Sequence, residues 1–306
     1  MSKIDINKLH KKRIQKDTLT AYAFLSPWII GFILFSGLPI LISFGLSLTN
    51  WSMMDVPKFI GLSNYTKMFS SQQFWSSLWI TLFFTVVSVF ITVIWAFILA
   101  MFLNLKLKCI GLYQFIYFIP AVMPSIALAF SFQMIYSKET GILNYILYTV
   151  LGVKDGPNWL YDKALVYPSV LFVMLFTYAT GQMLLIFKAG LKEVPTELYE
   201  ACELDGATFH QKLWNVTIPY MSPIILFNMV MAAIGALNNS FSLLYPLTAG
   251  GPDGATNLLS LAIYNSAFKD YQMGYASALS VILFIIAGSI SLFQFAMSKK
   301  WVHYDT

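Results

Sequence analysis

Glu193-Val-Pro-Thr-Glu-Leu-Tyr-Glu-Ala-Cys-Glu-Leu-Asp-Gly-Ala-Thr-Phe-His-Gln-Lys-Leu-Trp-Asn-Val-Thr-Ile-Pro219 is the longest polar interruption in an otherwise apolar second half of the chain. Its grammar is helix–turn–helix. Pro195 suits a first helical position, where a missing N–H costs nothing. Leu198, Ala201 and Cys202 then share one helical face. Asp205-Gly206 ends that helix, with Gly206 placed to take a left-handed conformation past the last turn. Thr208 and Gln211 have the spacing of a capping box and predict a second short helix. Pro219 marks the start of the next apolar run. Nothing in this knuckle has the look of catalysis, so it needs a partner to be useful.

The flanks are membrane-like. Of 306 residues, 58% are hydrophobic and 11% charged, with a mean hydropathy of +0.68, which places the chain among polytopic membrane proteins. Residues 18–54, 68–105, 109–137, 164–187, 213–252 and 271–298 contain no Asp, Glu, Lys or Arg, and each exceeds the ~18 apolar residues that a span requires. The expected fold is all-α: six transmembrane helices with the knuckle between the fourth and fifth, and both termini on one side. The fifth span should end near Leu237 and the sixth run to about Met297. With the N-terminus inside, 13 of the 19 Lys and Arg residues fall on the cytoplasmic side. The positive-inside rule therefore puts Glu200 and its neighbours in the cytoplasm. The first apolar run is too long for a cleaved signal and should stay as an anchor. Residues 1–17 read as a basic cytoplasmic tail and 18–306 as the membrane domain. The net charge of +5 concerns topology and the lipid bilayer rather than nucleic acid. Cys109 and Cys202 both fall on the reducing side, so no disulfide is expected. His10, His210 and His303 are too scattered to suggest a metal site.

Glu200-Ala201-Cys202, three residues, Gly206, nine residues and then Val216-Thr217-Ile218-Pro219 resembles the EAA loop of importer-type ABC permeases. The departures are Cys202 for an Ala, Val216 for Ile and Ile218 for Leu. Gly61-Leu62-Ser63-Asn64-Tyr65 is similar to an element that follows the first span in sugar-importer permeases. Leu247-Thr248-Ala249-Gly250-Gly251-Pro252 resembles the Thr-x-Gly-Gly-Pro signature of the permease type represented by the maltose importer's larger subunit. Many relatives carry Asp where Ser242 stands, so no carboxylate role is carried over there. The resemblance implies a type I ABC importer permease in a bacterial or archaeal cell membrane, with Glu200, Ala201, Cys202, Asp205, Gly206 and Pro219 in an ATPase-coupling loop spanning residues 189–219. It also implies a second permease of complementary type, ABC ATPase subunits and an extracytoplasmic substrate-binding protein as partners, with a sugar as substrate. ATP and Mg would sit on the ATPase, and this chain would carry no cofactor.

The residues themselves agree on what is missing. The six spans hold no carboxylate or amine, whereas ion-coupled carriers place such groups in the membrane. There is no Gly-x-x-x-x-Gly-Lys-Ser/Thr loop, so the chain cannot hydrolyse ATP unaided, and no Gly-x-Ser-x-Gly elbow. What remains is amide, hydroxyl and aromatic: Tyr178, Gln182, Asn238, Asn239, Ser242 and Tyr245. These groups suit neutral polyols, whose hydroxyls need donors and acceptors and whose C–H faces pack on rings. The alternative is that they bond neighbouring helices. Asn238 and Asn239 are expected at the start of an extracytoplasmic Gly-Gly-Pro loop covering 238–270. Trp28, Trp51, Trp159 and Trp301 read as an interfacial belt. The rival function is a secondary carrier, or a membrane scaffold whose cytoplasmic loop binds a regulator.

Overall fold

Apolar chain in a bilayer must satisfy its own backbone, and helix is the way an unclosed segment does so. The computed structural model describes residues 18, 20–105, 108–178 and 181–302, and nearly all of its spans are helical. The tail 1–17 lies outside the described residues, as do His10 and His303. Four helices are individually long and apolar enough to cross a membrane: α1 (Thr20–Ser47), α3 (Gln72–Asn104), α10 (Phe209–Thr248) and α12 (Met273–Ser298). Two bent pairs bring the number to six. The first is α4 (Ile110–Val122) with α5 (Ser125–Ile135), bent by 103°, and the second is α7 (Lys163–Tyr178) with α8 (Gln182–Glu193), bent by 56°. Short helices α2 (Ser63–Phe69), α6 (Ile142–Val150), α9 (Thr196–Leu204) and α11 (Leu259–Tyr264) connect them.

The mast of the bundle is α3, which packs against α7, α8 and α10. One face carries Ser77, Thr81, Thr85, Ser88 and Thr92, all buried. Their spacing of three and four residues makes a stripe of small side chains, which lets neighbouring backbones approach. Thr81 Oγ1 donates to the Ser77 carbonyl at 2.7 Å and accepts the Leu259 N–H at 2.8 Å. In this way α3 caps the start of α11.

Proline explains the sharpest bend. Pro124 disfavours helical backbone at the residue before it, and Met123 is extended at ψ 138°. The Gly61–Tyr65 element is more than a turn. Asn64 is buried, and its Nδ2 donates to the Ser47 and Thr49 carbonyls at 2.8 Å each. It thereby satisfies acceptors left open at the end of α1.

The fifth span departs from expectation. Helix α10 does not stop near Leu237 but runs on to Thr248, so the loop expected from residue 238 begins at Ala249. Leu243, Leu244 and Leu247 are buried here, and the hydroxyls of Ser240 and Thr248 donate back to the Leu237 and Leu244 carbonyls. Polar side chains thus bond within the helix instead of ending it. The Thr-x-Gly-Gly-Pro signature closes the helix. Thr256 Oγ1 stands 2.7 Å from Thr248 Oγ1 and 2.8 Å from the Gly251 carbonyl oxygen, and its one proton serves one of the two at a time.

Candidate functional site

The knuckle is built as its residues dictate, with two adjustments. Pro195 caps α9 from outside, at ψ 131°, instead of opening its first turn. Glu203, Leu204 and Asp205 complete the last turn, and Gly206 takes φ +71°. The Ala207 N–H reaches the Cys202 carbonyl at 2.9 Å and the Gly206 N–H reaches Glu203 at 3.1 Å. That pair of bonds defines a Schellman turn. The capping box is present in full, with Thr208 accepting from the Gln211 N–H and Gln211 Oε1 accepting from the Thr208 N–H at 2.7 Å.

The second adjustment concerns which face turns inward. Leu198 and Ala201 are exposed, while Tyr199 and Cys202 are half-buried. The Tyr199 hydroxyl pairs with Thr217 Oγ1 at 2.9 Å, which the expected Leu198 face could not supply. No residue of α9 is fully buried. Glu200 and Asp205 face solvent, Leu204 is 90% exposed, and Phe209 and Trp214 at the start of α10 are exposed as well. A short helix with apolar side chains turned outward on a charged surface is incomplete alone. A Lys212–Glu203 ion pair at 2.8 Å joins α9 to α10, and that ammonium holds the Glu203 carboxyl below its usual range, by hydrogen bond first and charge second.

The knuckle and the membrane share one helix. Between Lys212 and Ile218, α10 widens into a π turn, Leu213–Thr217, and then continues. Pro219 therefore sits inside a continuous helix, two residues past the π turn. From Phe209 to Asn238, ~1.5 Å per residue gives about 44 Å of uninterrupted rod.

At the far end of that rod, helix breaks converge on a cavity of about 430 Å³. Its wall includes Pro120, Ala121 and Met123 from the α4–α5 break, Tyr178 and Gln182 from the α7–α8 break, and Asn238 and Asn239 from α10. Gly181 permits the approach: its φ is +77°, and a side chain there would overlap the Ala121 methyl. Broken helices in a membrane are tolerated where they line a cavity, and they expose backbone and side-chain dipoles to whatever occupies it. Among the described residues, two donors on the wall have no partner, Tyr178 Oη and Asn228 Nδ2.

Four of the six residues singled out for the membrane, Tyr178, Gln182, Asn238 and Asn239, therefore meet at one cavity. Ser242 and Tyr245 do not line it. Tyr245 lies one to two turns further out, stacked on Phe241 at 5.3 Å, with Tyr264 at 5.2 Å and Lys269 Nζ 5.5 Å above its ring. Asn228, 1% exposed, was not among the candidates. Its sign in the sequence is a lone amide inside an apolar run, spaced with Met231, Gly235 and Asn238 at three and four residues on one helical stripe. Trp159, one of the belt set, is half-buried, and its Nε1 donates to Asn144 Oδ1 at 2.9 Å. Among the described residues no cluster of His, Cys, Asp or Glu could hold a metal ion.

Comparison with known proteins follows the same lines. A family model described as binding-protein-dependent transport system inner membrane component matches residues 93–301. The probable ABC transporter permease protein YesP of Bacillus subtilis is 35% identical over 301 residues, covering 96% of this chain and 95% of that one. The trehalose/maltose transport system permease protein MalF of Thermococcus litoralis is 31% identical over 288 residues, covering 94% and 96%. Among solved structures, a bacterial ABC transporter involved in the import of the acidic polysaccharide alginate superposes with a TM-score of 0.80. That match covers 94% of this chain and 98% of the other at 24% identity, a likeness of fold.

Proposed function

The chain belongs to the family of binding-protein-dependent transport system inner membrane components, and we propose that it is one membrane-spanning half of an ATP-driven ABC importer for a sugar or oligosaccharide. The observation that carries the reading is the single helix α10. It holds the unburied knuckle at one end and the amide wall of the cavity at the other. Relatives named for trehalose/maltose, lactose and arabinooligosaccharide transport favour a sugar, as do the uncharged hydrogen-bonding groups of the wall.

The knuckle is the coupling loop, and Glu200, Ala201, Cys202, Asp205 and Gly206 form the surface an ATPase subunit grips in the cytoplasm. ATP and magnesium belong to that subunit. Closing of the ATPase pair draws the knuckle along. The Schellman turn, the Tyr199–Thr217 bond and the Lys212–Glu203 pair make α9 move with α10 as one body. The displacement reaches Asn238 and Asn239 through the rod, and the cavity opens toward an extracytoplasmic binding protein. A second permease of complementary type closes the other side of the pathway, which explains why Gln182, Asn238 and Asn239 are exposed in this chain alone. The test is uptake of labelled sugar into proteoliposomes holding the co-expressed complex. ATP inside, with binding protein outside, should drive it. Uptake driven by a proton or sodium gradient without ATP would identify a secondary carrier instead.

A further inference from the structure

Helix α6 is amphipathic the wrong way round for a water-facing connector. Its sequence, Ile142–Val150, carries no charge. The amide turns inward: Asn144 is fully buried, donating to the Lys138 and Pro157 carbonyls at 3.0 and 3.1 Å and accepting from Trp159, while the exposed Thr149 hydroxyl bonds back to the Tyr145 carbonyl at 2.8 Å. The apolar side chains turn outward. Ile142, Tyr145, Ile146 and Val150 are 57%, 65%, 45% and 73% exposed. They repeat at three and four residues and so form one stripe. Charges stand off both ends, Lys138 and Glu139 before the helix and Lys154 and Asp155 after it, and Lys138 pairs with Asp155 at 3.0 Å.

The place of this stripe is fixed by the chain. Helix α5 ends at Ile135, and Gly141 packs so tightly on that end that a side chain would overlap the Ile135 and Ser137 carbonyl oxygens. Helix α6 therefore starts at the mouth of a membrane span and not at the tip of a free loop. An exposed apolar stripe also runs along α5 up to that end, where Ile126, Phe130 and Met134 are 52%, 52% and 74% exposed at four-residue spacing. From this continuity we propose that α6 is an interfacial helix. Its Ile142–Tyr145–Ile146–Val150 face is seated in the lipid surface of the outer leaflet, and its Asn144 face closes on the outer mouth of the bundle. The helix pins the α5–α7 connection to the bilayer, so that the bent pairs lining the cavity move against a fixed outer edge.

Ile146→Cys and Tyr145→Cys, each in a Cys109→Ser/Cys202→Ala background, test this with an environment-sensitive fluorophore. The host is the full complex in phosphatidylcholine–phosphatidylglycerol vesicles without binding protein. Lys154→Cys, just beyond the helix, serves as the water-facing control. Both labels should emit to the blue of the control. Nitroxide lipids should quench them and iodide should spare them, while the control shows the reverse. Labels that iodide quenches and nitroxide lipids do not would overturn the proposal. So would labels that leave water only when the binding protein is added, since the stripe would then be a protein-docking face. Ile146→Glu gives a second reading: the labelled Tyr145→Cys partner should move toward the control spectrum, and an unmoved spectrum would count against lipid seating.

Discussion

Gly206 gives the sharpest mutational handle, because its environment separates two effects that usually travel together. A Cβ placed there meets nothing within 4 Å, so a substitution costs backbone energy and not a clash. The φ of +71° carries the left-handed penalty of ~1–2 kcal/mol for an ordinary side chain. The Schellman bonds at 2.9 and 3.1 Å oppose that penalty and keep the turn. Asn and Asp tolerate this conformation better than Ala. Backbone cost alone ranks the variants Gly, then Asn and Asp together, then Ala, with roughly five- to thirtyfold in turn population between the ends for ~1–2 kcal/mol. Docking adds a second ranking. Gly206→Asp places a new carboxylate beside Asp205 and Glu203 on the exposed surface, so it should be the worst coupled although it is not the least stable. The assay is ATP hydrolysis by the reconstituted complex, with and without substrate-loaded binding protein. Basal hydrolysis should persist in every variant that assembles, and stimulation should fall least in Asn and most in Asp. If stimulation follows the stability order, or if a well-assembled Gly206→Asp complex is stimulated normally, the knuckle is not the coupling surface.

Asn238→Ala and Asn239→Ala should lower uptake while leaving assembly intact, since each removes hydrogen bonds worth ~1–3 kcal/mol from a water-poor pathway, roughly five- to a hundredfold in transport efficiency; normal uptake in both would make these amides helix glue. Asn228→Leu should retain the fold, because its Nδ2 already lacks a partner, yet slow transport, which paired thermal-melting and uptake measurements check. Glu203 has its folded pKa lowered by Lys212, so its contribution to the knuckle is present above the ordinary carboxylate range and is lost only as pH falls through the lowered folded value. Stimulated ATP hydrolysis should therefore depend on pH alike in wild type and Lys212→Gln near neutrality, and a divergence there would remove this pair from the anchoring set.

Much of the molecule was legible because the bilayer leaves so few options. Long charge-free runs had to be helices, and the polar gap between two of them carried its own caps in Asp205-Gly206 and Thr208-x-x-Gln211. Four cavity residues were visible as amides and rings with no reason to sit in lipid. The failures have a common cause. Asn238 to Thr248 looked like loop because composition turned polar, but hydroxyls and buried leucines kept the helix going. The Leu198 face was drawn from side-chain polarity alone, and the hydroxyl pairing of Tyr199 with Thr217, eighteen residues away, decided otherwise. Asn144 and Asn64 were not singled out as buried residues, and each proved to be a buried hub whose acceptors come from other segments. Tertiary hydrogen bonding of this kind leaves no local mark in a sequence.

The central claim is that α9 and α10 move as one lever between the ATPase and the cavity. Spin labels at Leu204 and Phe227 lie on that lever, and labels at Leu204 and Phe115 span it and α4; all three sites are exposed. Pulsed electron resonance on the reconstituted complex, free of nucleotide and then trapped with ATP, measures both distances. The account predicts an unchanged Leu204–Phe227 distance and a shifted Leu204–Phe115 distance. A Leu204–Phe227 distance that changes as much as the other would mean that the knuckle hinges at the Leu213–Thr217 π turn, and that α10 does not carry its motion to Asn238 and Asn239.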